Sequence, residues 1–352
     1  MSANRGRVLV TGGAGYIGSH VVLQLRDEGY DVLVYDNLST GHAWTVGDCE
    51  LVVADLADAD ALDAVFRENR FEAVLHFAAW IDVEESVRDP LKYYANNTAN
   101  TVKLLQACDR AGVERFVFSS TAAVYGMADT SPIPEDARLA PASPYGGSKR
   151  MSEQVLMDLG QASTLRYVIF RYFNVAGADP AGNLGEWRKN PTHLIPSALE
   201  AAAGGRPKFT VHGDDYPTID GTCVRDYIHV DDLARAHIDA LKYLQDGGES
   251  DVFNCGYGHG RSVLEVIEAV KTVTGVDFSV TIGPRRPGDP PELAAMSDKA
   301  QKKLGWRPRH DDIEFIVRTA WDWYGRRDQV RAAKIEAMEN GKPKAGAKRK
   351  SA

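Results

Sequence analysis

Val8-Leu9-Val10-Thr11-Gly12-Gly13-Ala14-Gly15-Tyr16-Ile17-Gly18-Ser19-His20 decides how this chain is read. The opening apolar run predicts a buried strand, and helix-like sequence follows from Gly15 to Glu28. Gly13, Gly15 and Gly18 satisfy G-x-G-x-x-G, while Gly12, Gly15 and Gly18 also give G-x-x-G-x-x-G. A side chain at these places would keep a pyrophosphate away from the backbone amides. The start of the following helix adds N–H donors and partial positive charge. Glycines alone are a weak signal, because tight turns use them too. The setting strengthens this one: a strand before it, a helix after it, and a second strand, Val32-Leu33-Val34-Tyr35, ending at Asp36. A carboxylate there accepts from both hydroxyls of an adenosine ribose and repels a 2′-phosphate. No Arg or Lys lies in Asn37 to Ala43 to neutralise such a phosphate, so NAD is favoured over NADP.

Further along, apolar runs alternate with helical patterns. Leu51-Val52-Val53 ends at Asp55, Ala61 to Asn69 reads as a helix, and Ala73 to Phe77 as a strand. Lys92 to Ala111 reads as one long helix before the strand Arg115-Phe116-Val117-Phe118. Short, nearly continuous apolar strands separated by helices indicate a parallel sheet covered on both faces. After about Asn174 the pattern loosens, and strand, helix and strand resume at Tyr227–Val230, Asp231–Tyr243 and Asp251–Asn254. Ser262 to Thr274 sets Val263, Val266, Ile267 and Val270 on one helix face. The predicted fold is α/β, a doubly wound parallel sheet (Rossmann-like) with a smaller C-terminal α+β substrate domain. Its expected parts are residues 1–178 with 226–258 for NAD and 179–225 with 259–328 for the substrate. A disordered basic tail is expected over 329–352, carrying Lys342, Lys344, Lys348, Arg349 and Lys350.

Composition narrows the function classes. The chain has 352 residues, 44% of them hydrophobic, and a net charge of −8 from 41 basic and 49 acidic side chains. That balance gives no general attraction to nucleic acid or to an anionic membrane. Cys49, Cys108, Cys223 and Cys255 lie far apart, which argues against a disulfide framework and against a clustered metal site. With no apolar leader near Met1 and no stretch able to span a bilayer, a cytoplasmic protein with reduced cysteines is expected.

Tyr145-Gly146-Gly147-Ser148-Lys149 sets a phenol and an ammonium four residues apart, on one face of a helix. A free tyrosine titrates near ~10, too high for a base at neutral pH. Positive charge on the lysine and on an oxidised nicotinamide favours phenolate, and each unit of lowering is worth ~1.4 kcal/mol. Such a pair can take a proton from a sugar hydroxyl while hydride leaves its carbon. Alone, Y-x-x-x-K is common by chance and reads as an exposed helix pair. Here it accompanies a dinucleotide turn and a hydroxyl-rich strand end, Ser119-Ser120-Thr121. Thr121 can donate to the substrate oxygen or merely cap the strand end. Asp55 can reach an adenine edge or cap the helix that starts near Asp58.

These residues resemble the extended short-chain dehydrogenase/reductase family, and within it the branch of UDP-glucose 4-epimerases, from about Arg7 to about Tyr324. Besides the glycine turn, the resemblance rests on Asp36-Asn37-Leu38, His76-Phe77-Ala78-Ala79, Ser143-Pro144-Tyr145 and Arg171-Tyr172-Phe173-Asn174. The most specific stretch runs from Asp215 to Val230. It implies NAD held by Gly12, Gly15, Tyr16, Ile17, Gly18, Asp36, Asn37, Asp55, Leu56, Phe77, Ala78, Asn96, Lys149 and Phe173. It implies catalysis by Tyr145, Lys149 and Thr121. UDP-sugar contacts are implied for Thr121, Tyr145, Asn174, His193, Arg225, Arg286, Asp289 and Leu293. Arg225 and Arg286 suit a diphosphate, and Asp289 the uridine ribose. The implied reaction inverts C4 of a UDP-hexose (UDP-glucose and UDP-galactose) through a transient 4-keto sugar, in a homodimer. Ile81 stands where many members carry a lysine, and Leu293 where some carry a tyrosine. Two competing readings are a 4,6-dehydratase or decarboxylase of the same family and a non-enzymatic NAD-sensing module. Dehydratases carry acidic residues just after the threonine, where this chain has Ala122 and Ala123.

Overall fold

The computed structural model describes residues 5–188, 191–206, 208–286 and 288–341. Six strands come first: β1 (Arg7–Thr11), β2 (Asp31–Asp36), β3 (Glu50–Val53), β4 (Ala73–His76), β5 (Arg115–Ser119) and β6 (Arg166–Tyr172). Short strands β7 (Asn174–Ala176), β8 (Phe209–His212), β9 (Val224–Arg225) and β10 (Tyr227–His229) lead to β11 (Asp251–Cys255). Strands β1 to β6 join β11 in one sheet of seven, ordered β11-β6-β5-β4-β1-β2-β3, with every neighbouring pair parallel.

Alternation along the strands explains how both faces are covered. Val8, Val10, Val32, Val34 and Leu75 point into a core shared with α1 (Tyr16–Asp27). Leu9, Leu33, Val74, Phe116 and Phe118 point the other way, into a core shared with α2 (Ala59–Glu68). Past α2 come α3 (Val83–Arg88), α4 (Pro90–Tyr93), α5 (Asn100–Ala111) and α6 (Pro144–Ala162). Helices α5 and α6 thicken the second core, and α8 (Val230–Gln245), which follows α7 (Leu194–Ala202), thickens the first. The doubly wound parallel sheet expected from the sequence is the fold observed.

The helix expected over Lys92–Ala111 is in three pieces. Tyr94–Ala99 is π-helical and separates α4 from α5. Within it, the Asn97 side chain accepts from Trp80 N at 2.9 Å and donates to Trp80 O and to Ser148 Oγ. These bonds reward the wide turn. Asp58, which accepts from Ala61 N, caps α2, so Asp55 is not that cap.

The smaller part holds a third core. Residues of α7, α9 (Val263–Thr274) and the start of α11 (Ile313–Gly341) meet there, after β12 (Arg261–Ser262) and α10 (Asp298–Lys303). Parallel β8 and β13 (Val280–Gly283) form one small sheet, and β9 lies between β12 and β14 (Glu292–Leu293) in another. Residues 329–341, expected as part of a disordered tail, are helical instead, because α11 continues to Gly341. Val330, Ile335 and Met338 pack on Trp44, Ala178 and Trp323, which gives the helix an apolar seam to follow. The basic residues 342–352 lie outside the described residues. No described helix is long and apolar enough to cross a membrane.

Strand order reverses between β1 and β4, where doubly wound sheets open a ligand crevice at their carboxyl ends. The turn after β1 and the loop after β4 face each other across it.

Candidate active site

A cavity of about 630 Å³ runs along those strand ends. Gly12, Gly15, Tyr16, Ile17 and Gly18 form its floor, with Asp36, Asn37, Asp55 and Leu56 at one end. Phe77, Ala78, Asn96 and Phe173 continue the wall. The glycine turn is made for close approach. Gly12 has φ +72°, and a Cβ on it would meet Ala78 N at 2.5 Å. A Cβ on Gly18 would lie 2.3 Å from the Gly12 carbonyl oxygen. Gly15 begins α1 with no side-chain cap and no acidic residue in the first turn, so the helix start keeps its donors for an anion. Asp36 is buried and already oriented, accepting from Ala14 N at 3.0 Å and Leu38 N at 2.8 Å. Burial pushes its carboxyl up, against the pull of those two N–H groups. Such a cradle fits a dinucleotide on its own geometry. Asp55 lines the cavity while accepting from Asn37 Nδ2 at 2.7 Å and Ala57 N at 2.8 Å.

Tyr145 enters the cavity from the first turn of α6, which Ser143 caps. Burial raises its phenol above the ordinary value, and a hydrogen bond from Thr121 opposes that rise. Thr121 also accepts from Ala123 N at 3.1 Å, so the capping role and the site role belong to the same side chain. Tyr93 meets Tyr145 edge-on, with ring centres 6.5 Å apart. Lys149 stands one turn further along α6, fully enclosed behind the cavity wall, and its Nζ donates to Ser119 O at 2.8 Å. Burial lowers its pKa to about 7, and the nearby Glu153 carboxylate works against that. The sequence points to positive charge on Lys149 and on an oxidised nicotinamide as what favours the phenolate. In the structure burial dominates both groups, because the same wall removes water from each.

The next turn repeats the pattern. Ser120 donates to Glu153 at 2.5 Å, and Arg171 donates to both Glu153 oxygens at 3.0 and 2.8 Å. Three consecutive strand-end residues are thus tied to three consecutive turns of α6.

Asn174, His193 and Leu293 line the opposite end of the cavity. Arg225, Asp289 and Arg286 do not. Arg225 Nη2 donates to Asp289 Oδ1 at 2.9 Å and its Nη1 to Val224 O at 2.8 Å. Expected as separate contacts to diphosphate and ribose, Arg225 and Asp289 pair with each other. Arg286 is exposed.

Sequence reasoning missed several lining residues: Trp80, Asp82, Glu85, Tyr172, Glu186, Arg188 and Tyr227. The first three follow β4, and the rule that ligands sit at the strand-order reversal could have flagged them. Glu186 and Arg188 lie in a Gly- and Pro-rich stretch without period, which carries no such signal. The acidic members of this set are engaged. Asp82 caps α3, and Glu85 accepts from Lys92 at 2.6 Å and Tyr93 at 2.8 Å. Burial pushes Glu186 up, yet His193 and Arg188 hold it below the ordinary carboxylate range. Among the described residues no group of three or more His, Cys, Asp or Glu could hold a metal ion.

Comparison with known proteins agrees with this geometry. The UDP-glucose 4-epimerase of Azospirillum brasilense is 54% identical over 318 residues, 90% of this chain and 91% of that protein. That of Lactobacillus helveticus is 49% identical over 319 residues, 90% of this chain and 97% of its own. The crystal structure of UDP-glucose 4-epimerase from Brucella ovis in complex with NAD superposes with a TM-score of 0.89 at 46% identity, covering 92% and 99% of the two chains. The enzyme from Stenotrophomonas maltophila, solved with NAD and formylated UDP-arabinopyranose, gives 0.89 at 42% identity, covering 93% and 100%. The sequence profile of the NAD dependent epimerase/dehydratase family matches residues 8–256, most of the nucleotide-binding sheet and its crossovers, and the chain belongs to that family.

Proposed function

We propose that the chain interconverts UDP-glucose and UDP-galactose by NAD-dependent inversion at C4. One observation carries the reading: Tyr145, bonded to Thr121, faces a single cavity that has a dinucleotide cradle at one end and Asn174, His193 and Leu293 at the other. The relatives' names point the same way. NAD held by the glycine turn, Asp36 and Asn37 would supply a reversible hydride acceptor for C4 of the sugar. Tyr145 removes the 4-hydroxyl proton and returns it, which asks for its hydroxyl to be within hydrogen-bond reach of O4. Thr121 donates toward the same oxygen and steadies the phenolate. Lys149, anchored on Ser119 O, supplies positive charge behind the phenol. Asn37, Asp36 and the glycine turn hold the dinucleotide. Binding strength concentrated on the UDP half lets the sugar turn without leaving. Residues 179–225 with 259–328 supply that half in this reading.

Purified protein given UDP-galactose should form UDP-glucose, resolved by chromatography. Absence of conversion, or a 4-keto-6-deoxy product, would overturn the reading. Ala122 and Ala123 line the cavity where a dehydratase needs its acid.

A homodimer is inferred from exposed apolar side chains on neighbouring helices: Val83, Val87 and Leu91 on α3 and α4, and Met151 on α6. Leu91→Glu should then shift the protein to monomer in light scattering. Four unpaired cysteines, three of them buried, suit a cytoplasmic setting.

A further inference from the structure

Among the described residues lining the cavity, Arg188 is the only arginine or lysine. A nucleotide diphosphate entering that space brings concentrated negative charge, and a guanidinium fork is the side chain best matched to it. Among the described residues the ion-pair partner of Arg188 is Glu186, 3.6 Å from its Nε, which is too long for a hydrogen bond and leaves the N–H donors for an anion.

The position of Arg188 is built from behind. Its neighbour Trp187 is held by two cations of α11: the guanidinium carbons of Arg327 and Arg331 lie 5.2 and 5.3 Å from the indole centre. Arg327 also stacks on Tyr324 at 4.1 Å. Trp44 meets Trp187 edge-on at 6.0 Å. One residue earlier, the Glu186 carbonyl accepts from Trp323 Nε1 at 2.9 Å. A Cβ on Gly185 would come 2.4 Å from the Trp323 ring, so the loop lies directly on α11. With residues 185 to 187 fixed against the helix, the following side chain turns to the cavity.

We propose that Arg188 grips the diphosphate of a bound nucleotide and that the distal half of α11 sets its place through Trp187. Two ligands of the proposed reaction carry that group, NAD and the UDP-sugar, and the inference rests on that reaction for the second. Arg188 is a binding residue in this account, while Trp187, Arg327 and Arg331 are positioning residues.

Arg188→Ala and Arg188→Lys in the full chain test the grip. UDP affinity is read by titration calorimetry, and NAD content by absorbance of the gel-filtered, then denatured, protein. Arg188→Ala should bind UDP roughly tenfold more weakly, the size of a lost charged hydrogen bond. Arg188→Lys should lose less, since it keeps the charge without the fork. Loss of NAD with UDP affinity intact supports the grip and assigns it to the dinucleotide. If neither changes, the proposal is overturned. If the wild type itself fails to bind UDP, the sugar-nucleotide reading falls, and NAD content alone decides the role of Arg188.

The double variant Arg327→Ala, Arg331→Ala tests the positioning. It should raise KM for the UDP-sugar about fivefold, as two weak cation–π contacts allow, while kcat stays within about twofold. Trp187→Phe should keep most of the affinity and Trp187→Ala lose it. A fall in thermal midpoint with KM unchanged would reduce α11 to a structural brace and overturn the positioning half.

Discussion

The two ends of the cavity are held in place by different means. At the dinucleotide end the backbone does the holding: Gly12 sits at positive φ, Gly18 abuts a carbonyl oxygen, and the Asp36 carboxylate is fixed by two main-chain N–H groups. At the other end side chains hold one another. Glu186 lies between Arg188 and His193, and outside the cavity lining Arg225 is paired with Asp289. A backbone cradle tolerates almost no added atom, whereas an ion pair can exchange one partner for a ligand at small cost. The first arrangement suits a group that stays bound. The second suits one that must come and go.

The largest expected effect lies where the two ends meet. Tyr145→Phe should lower kcat by ~10²–10⁴-fold with NAD still bound, the usual span for loss of a positioned general base. A variant keeping near-normal turnover in the UDP-galactose assay would show that the catalytic base is elsewhere. Gly18→Ala comes next. Its Cβ would be 2.3 Å from a carbonyl oxygen, so a backbone shift is forced, costing ~1–3 kcal/mol of stability. NAD should be lost on gel filtration. Retention of NAD and an unchanged thermal midpoint would break the contrast between a rigid and an adaptable end.

Lys149 gives a pH test. Burial lowers its pKa to about 7 in the folded chain. Below that pH the buried ammonium is charged and its cost is fully present. Between about 7 and its unfolded value of ~10.4 the unfolded chain binds more protons, so stability rises with pH across that window. Lys149→Met should therefore raise the thermal midpoint by several degrees more at about pH 6 than at about pH 9. A pH-independent difference would show that Lys149 keeps its ordinary titration.

Asp289→Asn should do least. Removing a partly buried partner of Arg225 should cost about 1 kcal/mol of stability, read from the thermal midpoint. If the midpoint holds while UDP binding weakens tenfold, Asp289 is a ligand contact, and that end is more specialised than its ion pairs suggest.

How much could be read in advance follows the same division. Asp36 and the glycines are set by spacing within one β-α-β unit, and a local pattern reveals them. Tyr145 and Lys149 share a helix face, so their common direction was legible too. Their electrostatics were not, since burial depends on β5, β6 and α6 closing around them, which no short window encodes. His193, at the start of α7, and Leu293, in β14, reach the cavity from places far apart in sequence, and family resemblance was needed to name them. Arg188 had neither period nor motif to mark it. Residues 329–341 read as tail in the sequence because the apolar seam of α11, Val330, Ile335 and Met338, is thinly spread among charged residues and finds its partners on Trp44 and Trp323.

The π-helical turn at Tyr94–Ala99 has a consequence for variation in this chain. A π segment is in effect one surplus residue in an α-helix. Deleting one residue there would let the backbone relax to ordinary pitch and close the wide turn, while α4 and α5 keep their faces. Asn97 would swing away from Trp80 and Ser148 together, although neither of those residues had been touched. Single-residue deletions across this turn should thus be more damaging than most substitutions within it, and natural chains that keep these bonds should keep its length before its composition.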